Sequence, residues 1–164
     1  MVRNGVLVVA GSALLLAPLL GTVSARALAA RPAAGATVVV APDCGAGYQC
    51  DNTSPGAFAL DRTGTAARRA DPGCAALELR SGRAGGGRYA WARLAAGAGC
   101  GRYRGWLDRS YDGGSTWQPR LGLFEDGGGE GYGAMYYWPH AASVRACAVR
   151  EGGGRTICTP WQQA

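Results

Sequence analysis

A single histidine, His140, follows Trp138-Pro139, and Glu125 and Glu130 stand a short way before it. An imidazole beside a carboxylate is a minimal set for general acid–base hydrolysis. A small ribonuclease- or glycosidase-like hydrolase using His140 with a nearby carboxylate is therefore one function to weigh. Nothing in the spacing demands that pairing, and an ordinary surface histidine accounts for His140 more simply. Glycoside hydrolysis needs two carboxylates facing one cleft. Of Asp108, Asp112, Glu125, Asp126 and Glu130, the last three fall in or beside a glycine-rich stretch that reads as a solvated loop. That stretch, Gly127–Gly133, lacks the Gly-Lys-Ser/Thr ending and following helix of a phosphate-binding loop. One histidine and no Cys-x-x-Cys pair argue against zinc. No catalytic residue, metal or cofactor is expected, and the chain reads as a non-enzyme.

Arginine interleaved with large rings suggests binding instead. Arg88, Tyr89, Trp91 and Arg93 are followed by Arg102, Tyr103, Arg104, Trp106 and Arg109. If the strands 88–94 and 102–109 pair, one face displays Arg88, Trp91, Arg93, Arg102, Arg104 and Trp106 together. Charge and ring stacking could then hold an anionic polymer or a sugar chain. The plainer alternative buries Trp91 and Trp106 in the core and leaves the arginines as solvated surface. Exposure of the two tryptophans separates these readings.

The most specific motif is Ser110-Tyr111-Asp112-Gly113-Gly114-Ser115-Thr116-Trp117, which matches S-x-D-x-G-x-T-W at all five fixed positions: Ser110, Asp112, Gly114, Thr116 and Trp117. It resembles the Asp-box, a β-hairpin element of sialidases and several unrelated extracellular proteins. The Asp112 carboxylate can accept turn N–H groups, and Gly114 supplies a position of positive φ. The Ser110 and Thr116 hydroxyls can serve the remaining turn groups, and Trp117 is expected to fold its ring into the core. The resemblance implies a hairpin-stabilising role away from any active site. A sialidase propeller is excluded by length, since it needs at least four blades of ~40–50 residues. Small secreted ribonucleases with a box-like hairpin carry a histidine inside it, where this chain has Gly113 and Ser115.

The elements that must position these residues alternate with period two. Leu77 and Leu79 oppose Glu78 and Arg80; Tyr89, Trp91 and Arg93 oppose Ala90, Ala92 and Leu94. Arg102–Ser110, Ala134–Trp138 and Ser143–Val149 also read as strands, separated by glycine-rich breaks. The pattern predicts an all-β fold: a small antiparallel sandwich or meander/barrel with an Asp-box hairpin, stapled by disulfides. Six cysteines in a short chain read as a disulfide framework. If Glu151–Gly154 is a four-residue loop, facing residues have numbers summing to 305. Cys147 then opposes Cys158, Ala148 opposes Ile157, and Val144 opposes Trp161. Directly opposed residues lie within disulfide range, so Cys147–Cys158 is expected. For the others Cys74–Cys100 and Cys44–Cys50 are favoured, with Cys50–Cys74 left open.

All six cysteines follow an export-like N-terminus. Arg3 precedes an uncharged run from Val6 to Leu20, 15 residues long, short of the ~20 that span a bilayer. Small-residue cleavage signatures follow at Val23-Ser24-Ala25 and Ala27-Leu28-Ala29. Residues 1–25 read as a signal peptide with cleavage as late as 29, residues 26–43 as a flexible Ala/Arg/Pro-rich leader with an apolar patch at Val38–Val40, and residues 44–164 as the stapled β domain. The expected location is extracellular, with no membrane span after cleavage. The 17 basic residues are all arginine, against 11 acidic ones; losing Arg3 takes the formal charge from +6 to +5. With almost no isoleucine or asparagine, this composition looks like high-GC coding rather than a nucleic-acid footprint, and nucleic acid is not an expected partner.

Cys74–Arg80, Tyr89–Leu94, Trp106–Gly114, Ser143–Cys147 and Ile157–Trp161 together are similar to an uncharacterised domain family of secreted proteins from high-GC Gram-positive bacteria, over roughly residues 74–161. The resemblance implies a fold and no activity. The function expected is a secreted binding or interaction module whose partner is an anionic polymer, a glycan or a protein, cell-wall material included. A secreted enzyme inhibitor is the less apt reading, because the glycine-rich loops are too pliant for a rigid inhibitory loop.

Overall fold

Alternating side chains with glycine at the breaks commit the chain to sheet. A computed structural model describes Cys44, Gly45 and residues 47–164. In chain order its strands are β1 (Asp61–Asp71), β2 (Ala75–Ala84), β3 (Gly87–Ala96), β4 (Tyr103–Ser110), β5 (Gln118–Glu125), β6 (Glu130–Tyr132), β7 (Tyr136–Tyr137), β8 (Ser143–Arg150), β9 (Ile157–Cys158) and β10 (Gln162–Gln163). Two 3-10 turns, Tyr48–Cys50 and Pro55–Ala57, precede them, and no α-helix occurs among the described residues. No helix there is long and apolar enough to cross a membrane. The expected export segment, the leader and the Val38–Val40 patch lie outside the described residues.

Two antiparallel sheets form a sandwich, not a closed barrel. The first runs β1-β2-β3-β6, with β7 sharing the edge of β3 that β6 uses; the second runs β10-β8-β4-β5, with β9 also on β8. Their inner faces meet in one core of Leu77, Leu79, Ala90, Ala92 and Leu94 against Tyr103, Leu107, Val144, Ala146 and Ala148. Strands β3 and β4 therefore face each other across the core and do not pair, which corrects the expectation of a joint arginine–aromatic face. Each has one apolar side, and here the two sides cover each other because the strands belong to opposing layers.

The β2–β3 hairpin turns on Gly85 and Gly86, with φ of 54° and 81°, as a two-residue turn with left-handed central residues requires. Disulfides join Cys44–Cys50, Cys74–Cys100 and Cys147–Cys158. Such bridges suit an oxidising compartment. In the β8–β9 ladder Cys147 opposes Cys158 and Ala148 opposes Ile157, as the arithmetic predicts. Farther along, Val144 opposes Gln162, not Trp161. The one-residue slip falls at Pro160, which has no N–H to give the ladder; just before it, Thr159 still bonds Ala146 in the original register.

Between β4 and β5, Thr116 N–H donates to both Asp112 carboxylate oxygens (2.8 and 2.9 Å) and the Thr116 hydroxyl donates to Oδ2 at 2.6 Å. The Ser110 hydroxyl donates to Asp112 Oδ1 at 2.8 Å and accepts Gly114 N–H at 2.7 Å. Trp117 departs from expectation. It is 44% exposed and meets the Trp161 ring edge-on with centroids 6.2 Å apart. The turn presents it to the outer surface of the second sheet, where the Arg145 guanidinium lies 4.8 Å from its ring and 4.4 Å from that of Trp161.

Candidate functional site

The outward side chains of the first sheet are set by register. Glu78 on β2 opposes Arg93 on β3, Arg80 opposes Trp91, and Arg93 opposes Tyr132 on β6. Glu78 is only 6% exposed and is satisfied by Arg68 (3.1 Å), Arg80 (3.3 Å) and Arg93 (3.0 Å). Burial pushes its carboxyl up, but the Arg93 hydrogen bond and the three cationic charges outweigh burial and hold it below the usual range. Arg93 also grips Glu130 through both fork nitrogens, at 2.9 and 2.7 Å. Those bonds, with the one to Glu78, hold its guanidinium protonated more firmly than usual.

Beside this network the segment 47–60 arches over the same face. Tyr89 donates toward the carbonyls of Gly45 (3.0 Å) and Gly47 (2.9 Å). Asp51 accepts from Arg109 at 3.0 Å, and Asn52 and Thr53 trade backbone bonds with Met135. Cys44, Cys50, Tyr89, Trp91 and Met135 thereby form a second core, with Phe58 and Leu60 packed on it. Between the arch and the ionic network lies a cleft of about 340 Å³ whose lining includes Phe58, Leu60, Thr63, Arg80, Trp91 and Tyr132. Its size falls in the ordinary small-ligand range of ~300–1,000 Å³. Tyr132 is 53% exposed while Trp91 keeps 7% of its surface. One ring thus forms an accessible wall and the other a packed floor. Because Arg93 spends its donors on Glu78 and Glu130, it positions the cleft more than it offers charge to a ligand.

The remaining candidates disperse. Arg88 lies over the Trp138 ring, 3.9 Å from its centroid. Arg102 is exposed just before β4. Arg104 reaches Glu151 at 3.1 Å and Glu125 at 3.7 Å. Trp106 is buried on the outer side of the second sheet, with Arg120 5.7 Å over its ring. His140 is exposed beside a small pocket whose lining, among the described residues, has no Asp or Glu side chain. Glu130 sits instead on Arg93 and Glu125 near Arg104, so the structure brings neither glutamate into a pair with the histidine. Asp108, buried, bonds Arg145 at 3.0 Å and touches Cys147 Sγ at 3.4 Å. The neighbouring sulfurs of Cys147 and Cys158 are covalently joined, so they are not thiolates free to ligate a metal. Sequence reasoning missed Phe58, Thr63, Arg80 and Tyr132 as cleft residues. Only Arg80 carried a signal, its shared face with Glu78.

No family model matches the chain, and no curated protein or solved structure matches it.

Proposed function

We propose that the chain is exported and acts outside the cell as a non-enzymatic binding module, with the cleft between Trp91 and Tyr132 taking a saccharide unit of an extracellular glycan. The observation that carries this is a cleft of about 340 Å³ with an exposed ring on one wall and hydrogen-bonding Arg80 and Thr63 beside it. Its charges are largely compensated internally, which favours a ligand with a flat apolar face and hydroxyl edges over a strongly anionic one. Three disulfides support an extracellular setting. The Asp112 turn, read as an Asp-box, serves as scaffold on the opposite sheet.

The test is retention on purified cell-wall polysaccharide followed by titration of released oligosaccharides, with tryptophan fluorescence as readout. Tyr132→Ala, at an exposed position that should cost under ~0.5 kcal/mol of stability, is expected to weaken binding at least about tenfold, or ~1.4 kcal/mol. Absence of retention by the unaltered protein, or full retention by Tyr132→Ala, would remove the reading. Export has its own test: N-terminal sequencing of the secreted product should begin at Arg26, or at Ala30 if the later signature is used. Material beginning at Met1 would count against it.

A further inference from the structure

A cluster of uncompensated positive charge lies apart from the glycan cleft. Where β1 leaves the first sheet and the β8–β9 hairpin closes the second, a groove of about 910 Å³ separates Arg69–Pro72 from the stretch Arg150–Pro160. Arg69, Arg150 and Arg155 line it, and none of the three forms an ion pair among the described residues. Arg145, also at the groove, is committed to Asp108 at 3.0 Å. Of the two acidic residues there, Glu151 is neutralised by Arg104 at 3.1 Å. Asp71 accepts the Tyr103 hydroxyl at 2.6 Å, leaving its charge uncancelled. Three open guanidinium groups against the single Asp71 carboxylate leave the groove two charges positive.

We infer that this groove binds a polyanion whose charges are phosphate or sulfate groups. Guanidinium forks match such oxyanions in geometry and charge. The volume is many times the ~30 Å³ share of one water molecule, so it accommodates several linked groups and not one ion. Among the described residues no aromatic ring lines the groove, so neither bases nor sugar faces have a stacking platform and recognition runs through charge. An acidic peptide fits less well, since Ile157, Pro72 and Pro160 offer its side chains little apolar surface. The glycine tip of the hairpin, Gly152–Gly154, leaves one rim without side chains.

The experiment uses the full exported protein with polyphosphate, dextran sulfate and poly-L-glutamate as probes, titrated over a range of salt. Arg150→Gln with Arg155→Gln is compared with Arg62→Gln and Arg83→Gln, which remove the same charge at the far end of the β1–β2 ladder, where Asp61 opposes Arg83. All four positions are exposed, so both doubles should fold. The groove pair is expected to weaken polyphosphate or dextran sulfate binding at least about tenfold and to lower the salt slope by about two, one per lost contact. The distant pair should change affinity by less than about twofold. Preference for either polymer supports the groove and names its oxyanion, phosphate or sulfate. Equal losses in the two doubles would make the effect one of overall charge and overturn the site. No binding to polyphosphate and dextran sulfate would also overturn it, as would poly-L-glutamate binding as tightly. Tyr132→Ala leaves polyphosphate binding unchanged, which keeps this outcome separate from that of the glycan cleft.

Discussion

At Asp112 one carboxylate organises a whole turn, and its titration is measurable. The Thr116 hydroxyl, then the Thr116 N–H and the Ser110 hydroxyl, hold its pKa down to about 2, from an ordinary 3.8. A depressed carboxyl favours the fold above its unfolded pKa, and that contribution is lost as pH falls through the folded value. Carbon-detected NMR should show Asp112 titrating near pH 2 with the Thr116 amide following it; a midpoint near 3.8 would mean that the bonds do not persist in solution. Gly114 makes a sharper test beside Gly113. At Gly114, φ is 99° and an added Cβ would lie 2.5 Å from Trp161 Nε1, whereas at Gly113, φ is 71° and the space is open. Gly113→Ala should cost ~1 kcal/mol for the left-handed backbone alone. Gly114→Ala should cost ~1–3 kcal/mol more, for the overpacking against Trp161, as read by denaturant melts. The residue types at Ser110, Asp112 and Thr116 made this network readable, because short polar groups at fixed offsets can reach only a few backbone partners. The direction of Trp117 was not readable, since what receives its ring is Trp161, far along the chain.

Among elements, those with strict alternation were legible and those without it were not. Strands β2, β3 and β8 show an apolar row against a polar one. The sequence of β1, Asp61–Asp71, holds no large apolar side chain and passes through two register irregularities against β2, as suits a blunted edge strand. Its composition reads as loop until a partner is present. The arch over residues 47–60 was equally silent, because its glycines, Pro55 and its polar residues have no period; it is held from outside. Arg109, 5% exposed on β4, anchors it through Asp51. Asp51→Ala would leave that buried guanidinium without its carboxylate, a loss of ~3 kcal/mol. The expected signature is local: Trp91 emission shifts to the red and amide exchange quickens across 47–60 at denaturant concentrations where β8 is still protected. A purely global change would show that the arch and the sandwich unfold as one.

For the whole molecule, the core between the sheets is rich in alanine and leucine, modest for a domain of this size. Three bridges at ~2–4 kcal/mol each are comparable with the ~5–15 kcal/mol that separates native from unfolded chains. Reduced protein diluted from denaturant should therefore stay unfolded by near-ultraviolet circular dichroism and recover its signal only with a thiol–disulfide couple. Spontaneous refolding in excess dithiothreitol would show that the sandwich stands without its staples. At this scale the all-β class and the Cys147–Cys158 bridge were legible, because local patterning and hairpin geometry fix them. No register tied Cys44, Cys50, Cys74 and Cys100, and the choice against Cys50–Cys74 stayed open until the fold was seen. Which strands share a sheet was not legible either, because an apolar face can be covered by an opposing layer as well as by continuation beside it.

The placement of the bridges also governs how the chain breaks. Cys74 and Cys100 bracket both strands of the β2–β3 hairpin, and Cys147 and Cys158 bracket the glycine tip after β8. A trypsin-like cut at exposed Arg83 or Arg155 severs the polypeptide yet releases no fragment. Nicked molecules keep both halves tethered in place and separate only once reduced, so peptidases acting on these two exposed tips can scar the protein without dismantling it.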